Sequence, residues 1–260
     1  MMPWTFNVAT DIGSRSEQQD RLDIVHSTDG RRHLVVLADG MGGLKNGAQA
    51  AQILVDVAAQ HFAAYESGSA YTFLHNIFLA AHHAINNLPE AADSAVGTTG
   101  VLLSIDNQRA VWAHVGDSRL YHFRNRRLLS CTNDHSLRQL MLAKGLVEEG
   151  SSAAQSMQNH LYMRLGGEVL PEPDFNSADL QTGDVFLLCS DGFWQAVPTD
   201  EILTILGKCP HEQDVAQYLV AVARLRGGNR CDNISLAMAQ WQDSTAQQYW
   251  QRLRFMLSRA

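Results

Sequence analysis

The chain of 260 residues is 45% hydrophobic and 18% charged, which excludes a disordered tail, a collagen-like fibre and a small disulfide scaffold, and leaves room for a sizeable core. Its formal charge of −7 argues against a protein whose main task is to neutralise nucleic-acid phosphates. No apolar run approaches the ~18–20 residues of a membrane span, and no Pro/Gly/Ser-rich linker splits the chain, so one large domain is expected.

In chain order, runs of Val, Ile, Leu, Phe and Trp bounded by turn residues predict strands at 5–11, 21–27 and 33–38. Two helical patterns follow. The first, 47–65, carries Ala50, Ile53, Leu54, Val57, Ala58 and His61; the second, 70–88, carries Phe73, Ile77, Ala80, Ala81 and Ala84. Strands are then expected at 98–105, 109–116 and 119–124, a helix at 136–145, a strand at 184–189, a helix at 211–225 and a last strand at 233–240. Consecutive strands imply hairpins, and strands grouped apart from helix pairs make the class α+β rather than a βαβ repeat. The helix pair can cover one sheet face and the helix at 211–225 the opposite one, a four-layer α/β/β/α sandwich with two central antiparallel sheets. Residues 242–260 place Tyr249, Trp250, Leu253, Met256 and Leu257 at helical spacing between Arg252, Arg254 and Arg259. This segment reads as a terminal amphipathic helix, docked on its own domain or serving a partner or a membrane surface.

Cys131, Cys189, Cys209 and Cys231 form no C-x-x-C pair and are expected to be reduced thiols. His82 and His83 are adjacent, so on a helix they point about 100° apart and make a poor zinc site. The opening MMPWTFNVATDIG has neither a basic segment nor an apolar core of a signal peptide, and a cytoplasmic location is expected.

The acidic residues are lopsided, with 18 Asp against 9 Glu. Many of these Asp residues sit at the ends of apolar strands. HLVVLADGMGG places Asp39 where a buried run meets glycines, DVFLLCSDGF repeats the device at Asp191, and NRCDNISLAM puts Asp232 just before a strand. AHVGDSRLY sets Asp117 between two strands, and RSEQQDRLDIV starts one at Asp20. A single Asp-Gly is an ordinary hairpin turn, as Asp29-Gly30 is expected to be. Five carboxylates running out of a Val/Leu core would bury charge at a cost unless cations answered them. An all-oxygen donor set suits Mg²⁺ or Mn²⁺. A carboxylate shared by two ions roughly 3.5–4 Å apart makes a binuclear centre suited to phosphate-ester hydrolysis. Arg15 could supply a bidentate fork for the phosphate.

The motifs TDIGSRSEQQD (10–20), ADGMGG (38–43), GTTG (97–100), VGDSRLY (115–121), TNDHS (132–136), LYMRLGG (161–167), GDVFLLCSDG (183–192) and CDNIS (231–235) occur in that order. From about Thr10 to Ala239 this series resembles the metal-dependent Ser/Thr protein phosphatases of type 2C, the PPM family, especially its compact bacterial members. The resemblance implies a β-sandwich flanked by helices, with the metal centre in a cleft at one edge. It assigns Asp39 as the bridge between two metals and Asp191 and Asp232 as carboxylates of the first. The Gly40 carbonyl would serve the second metal, with Asp20 acting directly or through water. Arg15 would bind the substrate phosphate, and Asp117 with Asp191 would hold a weaker third ion. The cofactors are then two Mg²⁺ or Mn²⁺ per site. A bridging hydroxide would attack phosphoserine or phosphothreonine in line, without a covalent phosphoenzyme. The substrate implied is a phosphorylated protein, and the partner a cognate Ser/Thr kinase.

Two departures from the family pattern matter. Gln19 stands where an acidic residue often precedes the Asp of the first motif, so metal affinity is expected to be modest. Met41 replaces the His usually given the general-acid role, so another group must protonate the leaving group. The phosphatase domain is expected to span 1–241, with a mobile flap at 138–160 containing Gly145, Gly150 and Ser151-Ser152. His114 and His135 are expected to be structural, although the loop of His135 could approach the cleft, and Thr98 and Thr99 could bond the site or merely pack. A hydrolase of small phosphate esters and a catalytically silent binding module are the competing functions; the intact Asp set speaks against the second.

Overall fold

The computed structural model describes residues 4–41, 46–89, 96–158, 160–208 and 215–241; the expected terminal helix at 242–260 and Cys209 lie outside the described residues. In chain order the elements are β1 (Trp4–Asp11), β2 (Asp20–His26), β3 (His33–Met41), α1 (Asn46–Ala64), α2 (Ala70–Asn86), β4 (Gly97–Thr98), β5 (Gly100–Ile105), β6 (Arg109–Val115), β7 (Arg119–Arg124) and β8 (Arg127–Cys131). They continue with α3 (Leu137–Ala143), α4 (Ser152–Ser156), β9 (Asp174–Asp179), β10 (Asp184–Cys189), α5 (Asp191–Trp194), α6 (Thr199–Lys208), α7 (Val215–Gly227) and β11 (Ile234–Trp241). No helix among the described residues is long and apolar enough to cross a membrane.

The strands form two antiparallel sheets, one ordered β1-β11-β10-β7-β8 and the other β2-β3-β5-β6-β9, with β4 added beside β3. The central strands are apolar on both faces because each sheet is covered twice. In β3, Leu34, Val36 and Ala38 pack against α1 and α2, while Val35 and Leu37 face the other sheet. In β10, Val185, Leu187 and Cys189 pack with α6 and α7, while Phe186 and Leu188 turn inward. The alternation of side chains across a strand thus serves two cores at once. The layers are helix, sheet, sheet and helix, an α+β sandwich as the sequence pattern indicated.

The inter-sheet layer contains the fully buried Phe186 ring, stacked on His122 at 4.4 Å between centroids and tilted against Trp112 at 5.6 Å. Phe186→Ala is expected to lose about 3–5 kcal/mol of stability, because that interface can collapse only partly around the lost ring. A urea titration should show the midpoint falling with little change in slope; a loss under about 1 kcal/mol would contradict this packing account.

Several boundaries differ from expectation. The strand expected at 98–105 breaks at Thr99, because Gly97 and Thr98 pair with Met41 and Gly40 whereas β5 pairs with the earlier part of β3. β3 runs beyond 38 to Met41, carrying Asp39 and Gly40 within the strand. β8 and β9 are absent from the sequence reading. Both are edge strands, and the mixed exposure of β9, DFNSAD, gives it no apolar face to betray it. The single-turn α4 and α5 are also new, too short for a helical period to declare itself; α6, nearly three turns long, is new as well, although Ile202, Leu203, Ile205 and Leu206 follow helical spacing.

Candidate metal centre

The carboxylates arrive at one edge of the sandwich from both sheets. Antiparallel pairing sets Asp20, the first residue of β2, opposite Asp39 near the end of β3. From the other sheet, Asp191 opens α5 just after β10, and Asp232 lies two residues before β11. Ser190 joins the two halves: its hydroxyl donates to Asp20 Oδ2 at 2.8 Å and accepts the Ser235 N–H at 2.9 Å.

Asp39 is fixed through its backbone. Its carbonyl accepts the Thr99 N–H and the Thr98 hydroxyl, both at 2.9 Å, and its own N–H donates to Thr99 Oγ1 at 3.1 Å. Thr99 Oγ1 also meets Ser118 Oγ at 2.7 Å, so the strand that carries Asp39 is tied to the turn that carries Asp117. Gly40 packs so closely on the start of α1 that a Cβ there would lie 2.1 Å from the Gly47 carbonyl oxygen; only glycine allows this approach.

Arg15 reaches the exposed rim, donating from Nε to Asp232 Oδ1 at 2.8 Å and from Nη2 to Asp232 Oδ2 at 2.6 Å. The loop that presents it is organised by Asn233, whose amide donates to the carbonyls of Ile12 and Glu17 and whose Oδ1 accepts the Gln19 N–H. All seven residues singled out in the sequence, Arg15, Asp20, Asp39, Gly40, Asp117, Asp191 and Asp232, therefore converge on one region. His114 and His135 form a separate buried pair with ring centroids 4.6 Å apart.

Apart from Asp232, which Arg15 pairs, the carboxylates of the cluster are raised in pKa by burial and by one another. Burial pushes Asp20 up to about 7, with Asp191 and Asp232 adding to the rise and the Ser190 hydrogen bond opposing it. Burial and then the Asp191 charge push Asp117 up to about 8. Asp191 rises to about 6 through burial and the neighbouring Asp232. Asp39 is driven well above the ordinary carboxylate range by burial and by Asp20, Asp191, Asp117 and Asp232 around it. Asp184, inaccessible to solvent on β10, shows the contrast. It accepts from His122, from Arg124 and from the Gln181 N–H; burial raises its carboxyl, but these bonds outweigh it and the net shift is downward. Asp20 Oδ1 is buried and, among the described residues, has no hydrogen-bond partner. An oxygen-only donor set with an orphaned carboxylate oxygen and mutually repelling neighbours fits hard divalent cations.

A family model described as "Protein phosphatase 2C" matches residues 10–228. The chain belongs to the protein phosphatase 2C family. It is 30% identical over 238 residues to the serine/threonine phosphatase stp of Listeria monocytogenes, covering 89% of this chain and 93% of that protein. Among solved structures it is similar to the Streptococcus agalactiae serine/threonine phosphatase, with a TM-score of 0.83, 29% identity, and 92% of this chain and 100% of that one covered. The catalytic domain of the phosphatase PstP, in complex with two manganese ions, gives a TM-score of 0.76 at 30% identity, with 92% of this chain and 99% of that one covered. Asp232 lies four residues past the end of the family match, yet the bidentate contact from Arg15 returns it to the site that the matched motifs form.

Sequence reasoning missed the residues that hold the carboxylates in place. Ser118, Ser190 and Asn233 are neighbours in sequence of Asp117, Asp191 and Asp232, and each bonds a distant part of the site. Their signal was available: a small hydroxyl or amide flanks Asp117, Asp191 and Asp232.

Proposed function

We propose that this phosphatase 2C chain is a Mg²⁺- or Mn²⁺-dependent protein serine/threonine phosphatase acting on phosphorylated proteins. The observation that carries the reading is the convergence of Asp20, Asp117, Asp191 and Asp232 on Asp39, with Asp20 Oδ1 buried and unpaired among the described residues. Asp39, Asp191 and Asp232 with Asp20 and the Gly40 carbonyl are the residues that would hold two ions, and Asp117 with Asp191 a weaker third. When bound, such ions supply positive charge to the phosphoryl oxygens and lower the pKa of a coordinated water.

The chain's own residues supply position. Arg15 spends its Nε and one Nη2 proton on Asp232, which leaves the Nη1 edge of a fixed guanidinium for a phosphate oxygen. Asp232 thereby orients the fork before substrate arrives. Thr98 and Thr99 keep Asp39 from recoiling from its anionic neighbours. Met41 has no proton to give, so the leaving serine or threonine oxygen must take its proton from another group. The reading extends to a catalytic domain spanning 1–241 with a flap at 138–160, to a cytoplasmic location, and to a cognate Ser/Thr kinase, since a kinase must place the phosphate that this enzyme removes.

The purified chain should release phosphate from a phosphothreonine peptide with Mn²⁺ and lose that activity in EDTA. Turnover of p-nitrophenyl phosphate without any turnover of phosphopeptides would favour the small-ester reading instead. Silence on both substrates with either metal would sink the proposal.

A further inference from the structure

Outside the carboxylate cluster, His114, His135 and Asp174 bring one ligand-type atom each within 4.8 Å of one another. By residue type this set suits a transition-metal ion, but the placement of protons argues for another role. A backbone N–H can only donate, and that of Gly116 donates to His135 Nδ1 at 3.3 Å. Nδ1 therefore presents its lone pair, and the proton of the neutral ring sits on Nε2, which faces Asp174 Oδ2 at 3.4 Å. His114 gives its own Nε2 proton to the Asn133 carbonyl at 2.7 Å. Burial holds both imidazoles below their ordinary range, so neutral rings are the resting state. An ion on His135 Nε2 would force the proton onto Nδ1, directly against the Gly116 N–H.

We propose that His135 is a positioning residue: Asp174 holds it in the Nε2–H tautomer, and His135 in turn fixes the Gly116 peptide and the direction of Asp117. Both polar groups of Gly116 end on this one residue, because its carbonyl also accepts the His135 N–H at 2.9 Å. The far side of the turn is closed. Gly116 has φ +101°, and a Cβ on it would lie 2.7 Å from Thr99 Cβ. Trp194 Nε1–H holds the next carbonyl, that of Asp117, at 2.9 Å. Among these anchors the imidazole is the one whose donor and acceptor atoms can exchange, and Asp174 decides which faces Gly116. The consequence for catalysis rests on Asp117 being a metal ligand, as proposed above.

The test uses the full chain. Long-range ¹H–¹⁵N spectra should show His135 neutral with its proton on Nε2, and Asp174→Ala, a change at a side chain that is 62% exposed, should shift it toward a mixture of tautomers. Calorimetric titration with Mn²⁺ should show the weakest binding event lowered about threefold to tenfold by His135→Leu, the size of one lost hydrogen bond. His135→Asn, whose Oδ1 can stand in for Nδ1, should recover most of that loss. If His135→Leu does not fold, Asp174→Ala carries the same prediction at about twofold to threefold. Equal losses in the Leu and Asn variants, an Nδ1–H tautomer in the parent, or Zn²⁺ binding that moves the His135 Nε2 resonance would each overturn the proposal. If Asp117→Asn leaves Mn²⁺ binding unchanged, the ligand reading of Asp117 fails and the proposal falls with it. A shift in Asp117→Asn but none in His135→Leu removes the proposal alone.

Discussion

Asp191→Asn is expected to lower Mn²⁺-dependent turnover of a phosphothreonine peptide by at least about a thousandfold, while making the metal-free protein more stable than the parent at pH 8. The two effects have one cause. Burial first, and then the charge of Asp232, raise the Asp191 carboxyl to about 6, against the opposing pull of Arg15 and a hydrogen bond with Asp39. The amide keeps the shape of the side chain and removes that repulsion. It also removes a carboxylate on which both the binuclear pair and the third ion depend in the proposed function; a thousandfold corresponds to about 4 kcal/mol of transition-state stabilisation, within reach of one lost metal contact. Steady-state kinetics and urea titration in EDTA check the two halves separately. Activity within tenfold of the parent, or a variant less stable without metal, would count against the electrostatic account.

The second expectation concerns metal removal and pH. Asp191, Asp20 and Asp117 have folded-state values raised to about 6, 7 and 8, against about 3.9 in an unfolded chain. Between those limits the folded state binds more protons than the unfolded one, so stability falls as pH rises. Their favourable contribution is complete below about pH 4 and is lost as pH climbs through 6, 7 and 8. In EDTA, Tm should therefore drop between pH 5.5 and 8.5. Mn²⁺ needs these carboxylates deprotonated, so at pH 8 and about a hundred times its Kd it should raise Tm by about 5–10 °C, and by little at pH 5.5. Asp184 runs the other way: its lowered value means a contribution lost only on acidification below the ordinary carboxylate range, outside this window. A chelated protein with the same Tm at both pH values would show that the cluster is already compensated from within.

The sequence was legible where one residue type had one physical use. A continuous apolar run ending in Asp, as in HLVVLAD and DVFLLCSD, made a strand buried on both faces that delivers a carboxylate to its end, and β3 and β10 behave that way. The five strand-end aspartates and Arg15 were nameable for the same reason. Relations between distant residues were not legible. Nothing in RSEQQD announces that Arg15 will close on Asp232, 217 positions away, or that Asn233 will fasten the loop between them. β9 was invisible because DFNSAD, an edge strand with no apolar face, has no alternation to read, and with it went Asp174 and the tautomer of His135. The ten-residue α6 is a different case: Ile202, Leu203, Ile205 and Leu206 mark an apolar face at helical spacing that the sequence did offer.

Trp4 pairs with Trp241, so the first strand of the described chain lies beside the last, and Asp11 and Ile234 close that ladder next to the carboxylates. Such long-range pairing demands costly loop closure and tends to set the pace of folding. A site drawn from Asp20 on one sheet and Asp232 on the other exists only after that closure is complete. Ions held there as proposed would act on the native state and not on the barrier before it. Ions bound as proposed would thus be brakes on unfolding rather than accelerators of folding, acting through the slowness with which β1 and β11 come apart.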